Sequence, residues 1–425
     1  MKLWFGMTVM LGAGFSVSVL GQIDVSGEVG RPTEAQNAWQ AWKAGNIEEA
    51  HRYATSLLKL PQLEPDARHL LFLTSFVMGE YEKALGHYEK IGEDYERRGE
   101  LDEPVLDAYL HLGRYAEAER FARGRNMPDW RVQTLANRRA NPLKVRLSEV
   151  SIIPYAEHPL SPYFPAFKSE INETQVIAHM DTGGTFLIMG PERAKRLGIK
   201  LVEAGEGYHG ATKVPLSCGI AKRFQLGDAV LENVPVGALA SLTGPQDFVI
   251  FGTNVLQQFL STLDYPNQRL ILSPRDKPEQ HDRHLAMLPA ERVRVPFYMW
   301  GDHYMFARGA VGEHKGLNFF IDSGLVALFP SGEGGLQQAA FSTSREKYVG
   351  WGFDEGKLGG PFVSHLPLAL GSLSQSKLLL LPGKVGDRDF GGVRIDGLLS
   401  HAFLKQYAWT LDFAERDYVF SSKSD

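Results

Sequence analysis

The spacing of apolar residues changes character once along the chain. From residue 33 to 123, apolar positions recur at helical intervals among Ala, Leu, Glu and Lys, with almost no β-branched runs, which predicts helices. From about residue 145, short apolar stretches alternate with glycines and turn residues, which predicts strands. The expected fold class is therefore multidomain α plus β, with helices first and all-β units after them.

Each part repeats within itself. In the helical part, Gly45-Asn46-Ile47-Glu48-Glu49-Ala50 returns as Gly79-Glu80-Tyr81-Glu82-Lys83-Ala84 and as Gly113-Arg114-Tyr115-Ala116-Glu117-Ala118, at spacings of 79 − 45 = 34 and 113 − 79 = 34. That period resembles tetratricopeptide repeats, in which the glycine ends one helix and the alanine lets the next approach closely. The reading stays divided between a docking surface for a protein partner and a structural cap.

In the second part, Val176 to Met189 reads V-I-A-H-M-D-T-G-G-T-F-L-I-M, and Leu317 to Phe329 reads L-N-F-F-I-D-S-G-L-V-A-L-F. Both deliver an aspartate, Asp181 or Asp322, from an apolar strand into a glycine turn. Further on, Leu256-Gln257-Gln258-Phe259 and Thr262-Leu263-Asp264-Tyr265 return as Leu404-Lys405-Gln406-Tyr407 and Thr410-Leu411-Asp412-Phe413, displaced by 404 − 256 = 148. The apolar-glycine step at Val249–Gly252 is matched to Val393–Gly397, displaced by 397 − 252 = 145, and the aspartates by 322 − 181 = 141. These offsets predict an internal duplication with small insertions, one of them after Gly397.

Residues 145–273 resemble a retropepsin-like aspartic peptidase domain: D-T-G-G at 181–184, the Gly-rich stretch at 205–210, Leu226-Gly227, and F-G-T-N-V-L-Q-Q-F from 251. Residues 291–421 resemble it more loosely, with Gly184 and Leu325 standing where that family usually has Ala or Ser. The resemblance implies two β lobes in a pseudo-dimer, with Asp181 and Asp322 as the catalytic pair. It makes Thr182, Gly183, Ser323 and Gly324 the support of the active-site loops. It also implies that Gly207, Tyr208, His209 and Gly210, at the tip of a flap, and Trp351 of the longer second hairpin, bind a polypeptide substrate. No cofactor and no metal are expected. The implied function is an exported aspartic endopeptidase; the alternative is a non-catalytic peptide-binding or scaffold protein of the cell envelope with degenerate lobes, motivated by the residues after each D-[ST]-G.

Composition narrows this little. A net charge of −5 in 425 residues gives no nucleic-acid surface, and the one cysteine, Cys218, is expected as a small buried hydrophobe. Lys2 followed by the uncharged run Leu3–Leu20 is expected to be a signal peptide over 1–21, placing the protein in a bacterial periplasm or outside the cell, without a membrane span after cleavage. Two linkers complete the organisation. The stretch 124–144 is expected as a basic irregular connector, and 274–290 as a polar one whose His281 and His284 lack the partners of a metal site.

Overall fold

The computed structural model describes residues 9–10, 33–209, 212–325, 328–330, 336–338, 341–343, 362–363, 366–382 and 390–422. The expected signal peptide, apart from Val9 and Met10, lies outside them, as do Gly210 and Trp351. Among the described residues no helix is long and apolar enough to cross a membrane.

After the short strand Val9–Met10, seven α-helices follow: α1 Glu34–Lys43, α2 Ile47–Leu57, α3 Glu64–Val77, α4 Tyr81–Tyr88, α5 Asp102–His111, α6 Tyr115–Gly124 and α7 Asp129–Ala140. A Thr33–Gln36 capping box starts the first. Gly45, Gly79 and Gly113 lie at the three hairpin turns with φ of 73°, 78° and 69°, a left-handed conformation that ends one helix and that glycine adopts without strain. Ala50, Ala84 and Ala118 are fully buried, so the second helix of each hairpin packs closely. The arrangement is consistent with the 34-residue repeat.

The stretch expected as an irregular connector is a helix over Asp129–Ala140. Val132 and Leu135 are buried in the last hairpin, and its arginines pair with acids of the preceding helices, Arg131 with Glu103 at 2.6 Å and Arg139 with Glu119 at 3.2 Å. Pro128 at its start and Pro142 just past its end disguised a helix whose apolar stripe is only two residues deep. The second expected linker also contains a helix, Pro278–Ala286. His284 is buried there, with Nδ1 2.7 Å from Ser273 Oγ and Nε2 2.6 Å from Thr262 Oγ1, so both ring nitrogens are engaged by hydroxyls.

The first β lobe contains β1 Ser151–Pro154, β2 Ala166–Ile171, β3 Thr174–Asp181, β4 Leu187–Met189, β5 Leu201–His209, β6 Thr212–Leu226, β7 Ala229–Leu239, β8 Val249–Gly252, β9 Phe259–Asp264 and β10 Arg269–Pro274. The second contains β11 Glu291–Trp300, β12 Tyr304–Val311, β13 His314–Asp322, β14 Gly397–Ser400, β15 Ala408–Asp412 and β16 Asp417–Ser422, besides shorter strands. Cys218 on β6 is half-buried rather than fully buried, and burial pushes its thiol up.

Six strands of a larger sheet, in the order β11-β16-β15-β9-β10-β1, join the lobes. Its centre is the antiparallel pairing of β9 with β15, where Thr262 faces Thr410 with their hydroxyls 2.5 Å apart. The repeated T-L-D motif is thereby explained. Its threonine lies on the pseudo-twofold axis, its leucine enters the barrel core, and its aspartate closes a hairpin turn, Asp264 by holding Asn267 and Arg269, Asp412 by accepting from the amides of Ala414 and Glu415.

The helices do not stand apart. Trp42, Phe72 and Phe76 form one continuous apolar cluster with Tyr298, Phe306, Phe320, Leu325, Phe390 and Leu398 of the second lobe, while Trp130 of α7 packs with Ala204 and Leu216 of the hairpin β5–β6 in the first.

Candidate active site

Each candidate aspartate ends a buried strand. The registers are equivalent: β8 runs parallel to β3 with Gly252 opposite Asp181, and β14 runs parallel to β13 with Ser400 opposite Asp322. This corrects the expected match of Gly252 to Gly397. Gly397 instead faces Phe319, and the true counterpart is Ser400, displaced by 400 − 252 = 148, so no insertion separates it from Leu404. The glycine was a false marker, because lobe 2 tolerates a serine there. In lobe 1 a Cβ at Gly252 would lie 2.1 Å from Gly184 O, leaving room for glycine alone.

The two turns cross. Thr182 Oγ1 donates to Ile321 O at 3.0 Å and accepts from Ser323 N at 3.0 Å, while Ser323 Oγ accepts from Thr182 N at 3.0 Å. Within each turn the glycine amide donates to its own aspartate, Gly183 N to Asp181 Oδ1 at 2.7 Å and Gly324 N to Asp322 Oδ1 at 3.0 Å. Each carboxyl also lies against the opposite loop's glycine. A Cβ on Gly324 would sit 2.1 Å from Asp181 Cγ, and one on Gly183 would sit 2.9 Å from Asp322 Cγ. Both turns therefore need a residue without a side chain, and each carboxyl packs on the opposite loop, each aspartate being 0% exposed.

The chemical capacity follows from that crowding. Two carboxyls in one low-dielectric space resist simultaneous ionisation, so one keeps a proton and the pair can act as base and acid together. Thr182→Val tests the framework. It would strand the buried Ser323 amide and Ile321 carbonyl at about 1–3 kcal/mol each. Urea unfolding is expected to show a loss of about 2–5 kcal/mol, with Thr182→Ser restoring most of it; equal stabilities would mean that the interlobe bonds contribute nothing.

Gly207, Tyr208 and His209 end strand β5 of a hairpin whose register pairs them with Val214, Lys213 and Thr212. His209 Nδ1 is 2.8 Å from Ser241 Oγ, and Lys213 lies over the Tyr208 ring at 5.8 Å. Tyr208 also packs against the cluster shared by the helices and lobe 2, so the hairpin end reaches across the lobe boundary.

Sequence reasoning missed Thr253, whose Oγ1 donates to Thr182 O at 2.9 Å and ties β8 to the turn that bears Asp181. The 148-residue displacement, carried back from the T-L-D motif, leads to it and to its counterpart His401. There the symmetry fails: His401 is buried, with Nε2 3.2 Å from Pro162 O of the other lobe. The position of Leu325 is also resolved. It stands where lobe 1 has Gly184 because it enters the apolar cluster formed with the helices.

Residues 167–255 match the family model described as aspartyl protease. No curated protein sequence matches. Among solved structures, a retropepsin-like aspartic protease from Rickettsia conorii is similar over 32% of this chain and 95% of its own, with 17% identity and a TM-score of 0.24. An aspartic proteinase from Irpex lacteus is similar over 65% of this chain and 98% of its own, with 10% identity and a TM-score of 0.41. Basic 7S globulin from soybean is similar over 65% and 97%, with 11% identity and a TM-score of 0.38. Strand order, register and the two crossing D-[ST]-G turns, rather than these scores, carry the conclusion that the β portion consists of two lobes resembling retropepsin-like aspartic proteases, the first of which includes the stretch that matches the aspartyl protease family model.

Proposed function

We propose that this protein is an exported aspartic endopeptidase that hydrolyses peptide bonds with a water held between Asp181 and Asp322. In this reading the ionised carboxylate takes a proton from the water as its oxygen attacks the scissile carbonyl carbon, while the protonated partner gives its proton to the carbonyl oxygen, so that a neutral tetrahedral diol forms. The proton taken from the water then passes to the amide nitrogen as the C–N bond breaks, and a diol hydroxyl returns a proton to the partner carboxylate, leaving an acid and an amine and no covalent enzyme intermediate. The observation that carries the reading is the crossing of the two turns, in which each carboxyl packs on the other loop's glycine. Thr182 and Ser323 hold the loops, and Gly207, Tyr208 and His209 belong to the hairpin that closes over the polypeptide. Export to a periplasm is supported by the apolar run at the start of the sequence.

The rival reading, a scaffold with degenerate lobes, draws on Gly184 and Leu325, and the packing of Leu325 against the helices weakens it. Incubation with an unfolded polypeptide at several pH values between about 4 and 7 separates the two. Fragments cut within the chain support the peptidase. An intact substrate beside demonstrably folded protein returns the scaffold.

A further inference from the structure

Strand β13 has two faces. Leu317, Phe319 and Ile321 enter the barrel core, whereas Asn318 and Phe320 point the other way, as the two-residue period of a strand requires. In lobe 1 the outward positions are Ile177 and His179, 141 residues earlier (318 − 177 = 141); Ile177 is half-buried, and the lobe itself covers His179, which stacks on Phe164 at 4.4 Å and lies against Phe248 at 5.1 Å. In lobe 2 Asn318 is covered in part by the first repeat turn, and Phe320, against Tyr304 and Phe390 of its own lobe, joins one apolar cluster with the helices.

The contact is specific. Asn318 is 0% exposed, and its Nδ2 donates to Ala44 O at 3.0 Å in the first repeat turn and to Arg394 O at 2.8 Å, while Arg394 N donates to Lys43 O at 2.8 Å. The glycine of that turn fits directly over it: a Cβ on Gly45 would lie 2.4 Å from the Asn318 amide. The second repeat turn docks likewise, since a Cβ on Gly79 would lie 2.0 Å from the Arg416 guanidinium, whose Nη2 donates to Tyr81 OH at 2.8 Å. At the third turn a Cβ on Gly113 would meet none of the described residues within 4 Å, and the contact there comes instead from His111, whose Nε2 lies 3.0 Å from Gly301 O. Aromatic contacts complete the path to the site: Phe76 on Trp300 at 5.5 Å, Trp42 Nε1 donating to Gly391 O at 2.7 Å, and Phe390 against Phe320 at 5.5 Å, two residues before Asp322.

We propose that the first two helical repeats are the positioning device for Asp322, with Asn318 as its positioning residue. The turn edge of those repeats is committed to lobe 2, which leaves only their other faces to a protein partner. The catalytic half of this inference rests on the peptidase reading; the docking half does not.

Two variants of the full chain approach the contact from opposite sides, Asn318→Ala from the strand and Gly45→Ala from the helices, so that a folding failure of one leaves the other. Hydrogen exchange at 314–322 is expected to accelerate at least about tenfold in both, with 174–181 in lobe 1 unchanged. Peptide kcat is expected to fall roughly tenfold or more with KM little altered, since small displacements of a catalytic group are costly. The double variant is expected to be no worse than either single one, because both break the same contact. Unchanged exchange at 314–322 while 34–57 loosens would overturn the docking. Faster exchange with kcat intact would overturn the positioning role. Should the native protein cleave nothing, the exchange result still decides the docking and only the peptidase reading falls.

Discussion

Asp181→Asn and Asp322→Asn are each expected to lower peptide hydrolysis by roughly a thousandfold or more, the scale of losing an acid–base pair, while leaving the fold in place. The amide keeps the shape of the carboxyl, and its oxygen still accepts from the glycine amide of the same turn, now made to Asp181 at 2.7 Å or to Asp322 at 3.0 Å. What it cannot do is share a proton. Because the mechanism needs one ionised and one protonated member, either substitution removes both functions at once, and the double variant should be no slower than the single ones. Stability near neutral pH should hold or rise, since each change relieves the crowding of two acids in a site with no exposure. Initial rates on one peptide, with urea unfolding of the same preparations, check both halves. A single variant retaining more than about a tenth of native activity is incompatible with a shared proton.

The second large effect concerns acid. His69, His179, His284 and His401 are all nearly inaccessible. Burial lowers them from 6.5 to about 3 for His69, His284 and His401 and to about 4 for His179. The unfolded chain takes up these protons near pH 6.5 and the folded protein only near 3 to 4, so between those values the unfolded state binds more protons and stability falls as pH falls. At pH 5 each site costs about 2 kcal/mol, and four of them reach the scale of a whole domain's stability of roughly 5–15 kcal/mol. The carboxyl pair alone favours an acid-side optimum. The histidines cut that limb off, so the decline in cleavage below about pH 5 should coincide with unfolding. Urea midpoints that stay level from neutrality to about pH 4.5 would contradict this.

Much of the β architecture was legible because symmetry constrains it. The two D-[ST]-G turns must each present a glycine to the other's carboxyl, and the two T-L-D motifs must meet on one axis, so their letters could not drift. The Gly252–Gly397 match failed because lobe 2 places Ser400, not a glycine, opposite its aspartate, and a nearby glycine took its place in the reading. The helix over Asp129–Ala140 was hidden by its flanking prolines and by arginines that pair within the helical array. The docking of the repeats on lobe 2 had no periodic signature at all. It depends on single side chains, Asn318, Arg416 and Leu325, whose partners lie hundreds of residues away along the chain.

The central claim is that Asp181 and Asp322 act on one reacting centre. A crystal structure with a peptide carrying a hydrated-ketone diol, the mimic of the tetrahedral intermediate, tests it most directly. One diol hydroxyl should lie within about 2.6–3.2 Å of a carboxyl oxygen from each aspartate, with the peptide running beneath the hairpin that bears Tyr208. A diol that touches one aspartate and leaves the other facing elsewhere, or a peptide that binds away from both, would contradict the account.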